Sequence, residues 1–134
     1  MALPERDLKP GIEGEQRFKV TEEMAASFIG SGDVSVLSTP SMIALMEIVA
    51  RDSVQPYLPP EETTVGIAVN VRHLAPAPVG GEVTVMSKLV EVDRRRLVFE
   101  VKCLYGDTVV GEGTHERFVV NRQKFLEKLK KASE

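Results

Sequence analysis

One apolar stretch, Val36 to Tyr57, limits the folds open to this chain more than any other feature. It is the one long run with helical character, and from Met42 to Val54 its apolar residues point in nearly every direction around a helix axis. Water can cover little of such a rod, so a curved sheet has to wrap it on most sides. Thr39-Pro40 fits an N-cap followed by proline at the first helical position, and Pro56 with Pro59-Pro60 ends the helix. Between Met42 and Ala50 the one charged residue is Glu47, whose neighbours three and four positions away are Ile43, Ala44, Ala50 and Arg51. An acid carried into such a run calls for a reason. Either it pairs with Arg51, or partial burial raises its pKa towards a working range, making it a base or a nucleophile.

The remaining sequence supplies the wrapper. Residues 1 to 15 mix prolines, glycines and alternating charges and read as an irregular lead-in; Gln16 to Thr21 reads as a short strand, and Glu22 to Phe28 as weakly helical. Ile29-Gly30-Ser31-Gly32-Asp33 forms a loop of small residues able to move. Beyond the central helix, Thr63 to His73 alternates, with Val65, Ile67, Val69 and Val71 assigned to the buried face. Glu82 to Val92 and Leu97 to Tyr105 alternate again around the charged tip Asp93-Arg94-Arg95-Arg96, a hairpin pattern. Gly106-Asp107 suits a two-residue turn into Val109 to Val120, and Asn121 to Lys131 reads as a surface helix with Phe125 and Leu129 on one face. The order predicts an α+β protein in which an antiparallel β-sheet wraps a long central helix. A sheet on one side leaves the helix half uncovered, so a homodimer is expected to complete the core.

Composition narrows the function. A chain of 134 residues with 43% hydrophobic content suits one domain spanning 1–134, and a net charge of -3 argues against nucleic acid as a partner. Met1 to Asp7 lacks the basic-then-apolar order of a signal peptide, and the longest uncharged run, Val34 to Met46, is too short to span a bilayer. A cytoplasmic protein without membrane contacts is the expectation. A lone Cys103, on an apolar face with Phe99 and Val101, reads as a core residue, and with only His73 and His115 beside it no metal-ligand spacing exists.

Four segments together carry a resemblance: Leu37-Ser38-Thr39-Pro40, Leu45-Met46-Glu47, Gly66-Ile67-Ala68-Val69-Asn70-Val71-Arg72-His73, and Gly113-Thr114-His115-Glu116-Arg117. In combination the chain resembles the hotdog-fold acyl-CoA thioesterases of the fluoroacetyl-CoA thioesterase family, from about Val36 to Phe125. The resemblance implies hydrolysis of a small acyl-CoA thioester to free acid and coenzyme A, with Thr39, Glu47 and His73 as the catalytic group. It also implies substrate or coenzyme A contacts at Gly66 and Arg117, and no cofactor beyond the coenzyme A of the substrate. The chain departs from the family's namesake before the helix, where Phe28 is followed by Gly30, Ser31 and Gly32. Preference for a fluorinated acetyl group is therefore not implied.

Each residue also has a plainer reading. Thr39 serves as a helix cap in its own right, though a helix N-terminus would also suit the oxyanion of an attacked thioester. At a rise of ~1.5 Å per residue, Thr39 and Glu47 lie ~12 Å apart along the helix, so one reaction can use both only if the substrate or a second subunit bridges them. His73 is a polar strand end or a neutral proton carrier. Gly66 relieves crowding or admits the pantetheine arm. Arg117 pairs with Glu112 or Glu116, or meets a phosphate or carboxylate. His115 is assigned to the structure, not the chemistry. Two other functions fit the same fold: a non-catalytic acyl-CoA binding module, and a hotdog hydratase or dehydratase, which the absence of the usual Asp and His pair disfavours.

Overall fold

The central helix begins one residue earlier than its sequence suggests. In the computed structural model, which describes residues 7–30 and 32–133, helix α2 (Thr39–Val54) is capped by Ser38, whose Oγ accepts the Ser41 N–H at 3.1 Å. Thr39 is thus the first helical residue and not the cap, and Pro40 follows it in the first turn. The consequence is chemical: Ser38 does the capping, so the Thr39 hydroxyl is left for another partner.

Strands β1 (Glu13–Lys19), β2 (Glu62–His73), β3 (Glu82–Asp93), β4 (Arg96–Tyr105) and β5 (Thr108–Asn121) form one antiparallel sheet in the order β1-β3-β4-β5-β2. Met42, Leu45, Met46, Val49, Ala50 and Val54 of α2 are buried with Val83, Val85, Leu89, Leu97, Phe99 and Val101 of the sheet's inner face. Cys103 belongs to the same face, and burial pushes its thiol up to about 11, so it is an inert core residue. The first strand starts at Glu13, earlier than the sequence pattern suggested. Gly14 explains why: a Cβ there would stand 2.8 Å from Ser53 Cβ and 3.0 Å from the Val49 carbonyl, so the bare residue lets β1 lie against α2. Before α2 come a short 3-10 turn (Glu22–Met24) and the short helix α1 (Ala26–Ile29); Ser31 of the small-residue loop, like residues 1–6 of the lead-in, lies outside the described residues. At the other end, helix α3 (Arg122–Ala132) is capped by Asn121, with Phe125 and Leu129 exposed on the surface as expected.

Strand β2 overturns one expectation and carries the most consequence. Val65, Ile67, Val69 and Val71 do not form a single buried face: Ile67 and Val69 are exposed. The reason is a bulge. Gly66 lies opposite Arg117, but Ala68 lies opposite Glu116, so Ile67 is an extra residue with no partner on β5. Residues directly opposite one another share a sheet face, so the inward set changes from Thr64 and Gly66 before the bulge to Val69, Val71 and His73 after it. Gly66 and His73 are seven positions apart and would face opposite ways in a regular strand. The bulge turns both towards α2.

Candidate active site

Two groups of polar residues line the contact of α2 with β2 and β5. At the start of the helix, Thr39 Oγ1 and His73 Nδ1 are 2.7 Å apart, a hydrogen bond between the first helical residue and the last residue of β2. Burial lowers the pKa of His73 from its ordinary 6.5, with a smaller opposing effect from the Ala75 backbone, so the ring is neutral near pH 7. Its Nε2 is shielded from water and has no hydrogen-bond partner among the described residues. The first turn has little else to offer an anion: Pro40 has no N–H, and the Ser41 and Met42 N–H groups donate to Ser38. What remains there is the N–H and hydroxyl of Thr39.

Two turns further on, Glu47 sits beside Gly66 and Arg117. Arg117, 5% exposed, places Nη1 at 3.7 Å from Glu47 Oε2, while the Glu47 side chain remains 40% exposed. The alternative pairings do not form. Arg51 pairs with Asp52, and Glu116 pairs with Arg96, so neither competes for this contact. Arg117 Nε donates to Thr64 Oγ1 at 2.7 Å and Nη2 to the Thr64 carbonyl at 2.9 Å. Its Nη1 lies 3.2 Å from His115 Nε2, and His115 Nδ1 lies 2.8 Å from the Ala68 carbonyl. His115, assigned to the structure from the sequence, is in contact with this cluster, and Thr64 joins it without having drawn notice in the sequence. The available signal was the Thr-His-Glu-Arg run, whose i, i+2 spacing puts His115 and Arg117 on one strand face.

Gly66 has a steric reason to be glycine. A Cβ would come 2.8 Å from Glu47 Oε2, 3.3 Å from His115 Cε1 and 3.4 Å from Arg117 Nη1. Since the nearest atom is the tip of a flexible side chain, Gly66→Ala is expected to displace the carboxylate and leave the fold intact, gaining up to about 1 kcal/mol from reduced backbone entropy. The thermal midpoint should hold or rise while any activity that needs Glu47 falls; a lower midpoint with full activity would contradict this.

Burial also lowers the pKa of His115, aided by the Arg117 charge. Both histidines therefore bind protons less readily in the folded chain than near 6.5 in the unfolded one. Below that pH the unfolded state takes up more protons, so the stability these rings contribute is complete above pH 6.5 and is lost as pH falls through their native values. For His115 the slope approaches about 1.4 kcal/mol per pH unit inside that window. Thermal melts from pH 8 to pH 5 should show wild type losing stability more steeply than His115→Gln.

The two groups are ~12 Å apart along α2, and Gly66 and His73 roughly 20 Å apart along β2, so one protomer does not bring Glu47 to Thr39 and His73. The cavity of about 550 Å³ between Glu13, Met86, Lys88, Glu100 and Lys102 includes none of them. Among the described residues, no group of three His, Cys, Asp or Glu side chains could hold a metal ion.

An antiparallel sheet around a central helix is the hotdog fold, and the comparisons with known proteins put the chain among the hotdog-fold thioesterases, enzymes that hydrolyse acyl-CoA thioesters. Residues 20–123 match the fluoroacetyl-CoA-specific thioesterase family, and the chain belongs to it. A fluoroacetyl-CoA thioesterase from Streptantibioticus cattleyicolor is 40% identical over 95 residues, which cover 71% of this chain and 68% of that protein. A solved structure of the fluoroacetyl-CoA thioesterase FlK superposes with a TM-score of 0.85 at 32% identity, covering 92% of this chain and 96% of that one. A variant of FlK in complex with fluoroacetate and CoA gives 0.83 at 32% identity, over 88% and 99%. A thioesterase superfamily member from Thermus thermophilus gives 0.88 at 27% identity, over 96% of each chain.

Proposed function

We propose that this chain, as a single domain, hydrolyses a small acyl-CoA thioester with Glu47, His73 and Thr39 acting together in a groove between two protomers. The observation that carries the reading is the split of the site: a Thr39–His73 hydrogen bond at one end of α2 and a half-exposed carboxylate too far along the same helix to reach it. A second copy supports both needs. The exposed apolar residues Ile48 on α2 and Ile67 and Val69 on the edge strand β2 suit burial against a like surface, and a partner brings its own Glu47 to the first protomer's Thr39.

In this arrangement Glu47 takes a proton from water as the water oxygen bonds to the thioester carbonyl carbon. Thr39, held by neutral His73, faces the oxygen that gains charge. The carbon–sulfur bond then breaks and the proton passes to the departing sulfur, giving the acid and coenzyme A. Gly66 leaves room beside Glu47 for the thioester, and Arg117 borders the same space. The substrate class draws support from FlK structures in complex with acetyl-CoA and with CoA. No helix among the described residues is long and apolar enough to cross a membrane.

The test is a panel of short acyl-CoA esters with thiol release followed over time. Turnover of at least one ester is expected. Saturable binding of the panel with every ester intact after hours would instead identify a binding module.

A further inference from the structure

We propose that Thr64 and His115 are positioning residues: together they lock the Arg117 guanidinium so that the second N–H of its Nη1 faces Glu47. The inference rests on Glu47 being the base. A guanidinium has five N–H donors and no acceptor, so each contact has a fixed direction. Nε and Nη2 both donate to Thr64, to its hydroxyl and its carbonyl, which fixes the plane of the group. Nη1 donates to His115 Nε2, and that nitrogen must therefore carry a lone pair. The Ala68 carbonyl can only accept, so the proton of His115 is on Nδ1. The tautomer is thereby assigned from its two neighbours. Phe99 stacks on the ring at 6.2 Å between centroids and holds it in place.

The bulge at Ile67 is part of the device. It shifts the register by one residue between Gly66 and Ala68, and the Ala68 carbonyl beyond the shift is the one that reaches His115. With three of its donors committed inside the protein, Arg117 has little left for a phosphate. Its contact with Glu47 is the one that reaches a half-exposed group.

Removing the Thr64 hydroxyl or the His115 acceptor should let the guanidinium turn and Glu47 follow. A misplacement of about 1 Å costs on the order of 10²-fold in rate, so Thr64→Val and His115→Leu should lower kcat by about 10- to 100-fold with KM for the acyl-CoA little changed. Thr64→Ser and His115→Gln, which retain an acceptor facing Arg117, should restore most of kcat. Should the first pair unfold, the second pair still decides: loss of kcat in a folded Thr64→Ser or His115→Gln protein equal to that of Glu47→Gln would overturn the proposal. So would a raised KM at unchanged kcat, which would make Arg117 a ligand contact. Nitrogen-15 NMR of the histidine rings gives a readout independent of activity: His115, assigned by its absence in His115→Gln, should be the neutral Nδ1–H tautomer at pH 7, and an Nε2–H or doubly protonated ring would refute the assignment. Glu47→Gln separates the two readings. If it retains full turnover, the role of Glu47 fails; if it is inactive while Thr64→Val and His115→Leu are fully active, only the positioning role fails.

Discussion

Glu47→Gln is expected to abolish most turnover while leaving the fold in place. Glutamine matches glutamate in shape but cannot accept a proton from water, and removing a general base costs about 10²- to 10⁴-fold, or roughly 3–5 kcal/mol of barrier. The structural cost is far smaller. The Arg117 contact spans 3.7 Å with the Glu47 side chain 40% exposed, so its loss removes an ion pair worth ~0–1 kcal/mol, and the amide oxygen still faces the guanidinium. The effect should fall on kcat, with KM unchanged, because the substituted atom meets the reacting water and not the coenzyme A moiety. Kinetics of the purified variant on the ester that wild type turns over fastest, together with its thermal midpoint, provide the measurement. Equal kcat in the two proteins would remove Glu47 from the chemistry.

The sequence made the helix and its acid legible because both depend on local signals. Apolar residues all around an axis, a proline near the start and prolines after the end left little choice of element, and α2 spans Thr39–Val54. The hairpins of β3, β4 and β5 were legible for the same reason, since their turns and alternation are short-range. Strand β2 was misread because a bulge has no fixed sequence signature; Gly66 hinted at one, and the exchange of faces at Ile67 emerges only from pairing with β5. The cap was misassigned because Ser38 and Thr39 are both competent caps and adjacent. Which one folds into the first turn decides whether Thr39 can reach His73. Arg117 was assigned to ligand or to neighbouring acids because strand-adjacent charges are visible in sequence. Its partners Thr64 and Glu47, 53 and 70 positions away in the chain, come together only through the β2–β5 register and the helix across it.

Mixing two inactive variants should restore activity if the site is shared. Consider Glu47→Gln in one protomer and His73→Gln in the other. If Thr39 and His73 of one protomer act with Glu47 of its partner, the first variant supplies an intact Thr39–His73 pair and the second supplies an intact Glu47. One of the two grooves in the heterodimer is then complete, and the other carries both substitutions. If each protomer held its own site, neither groove would be complete. Random assortment of equal amounts makes about half the dimers mixed, each with one working groove of two, so the expected recovery is about a quarter of wild-type kcat against the residue of about 10⁻² or less left by each homodimer. Differently tagged chains, co-expressed and purified through both tags, raise the expected value to about half. Recovery requires a closed two-fold interface that places α2 of one protomer near β2 of the other, the arrangement that the exposed Ile48, Ile67 and Val69 favour. A doubly tagged heterodimer no more active than its parents would place all three residues in one protomer, and the ~12 Å along α2 would then have to be spanned by the substrate alone.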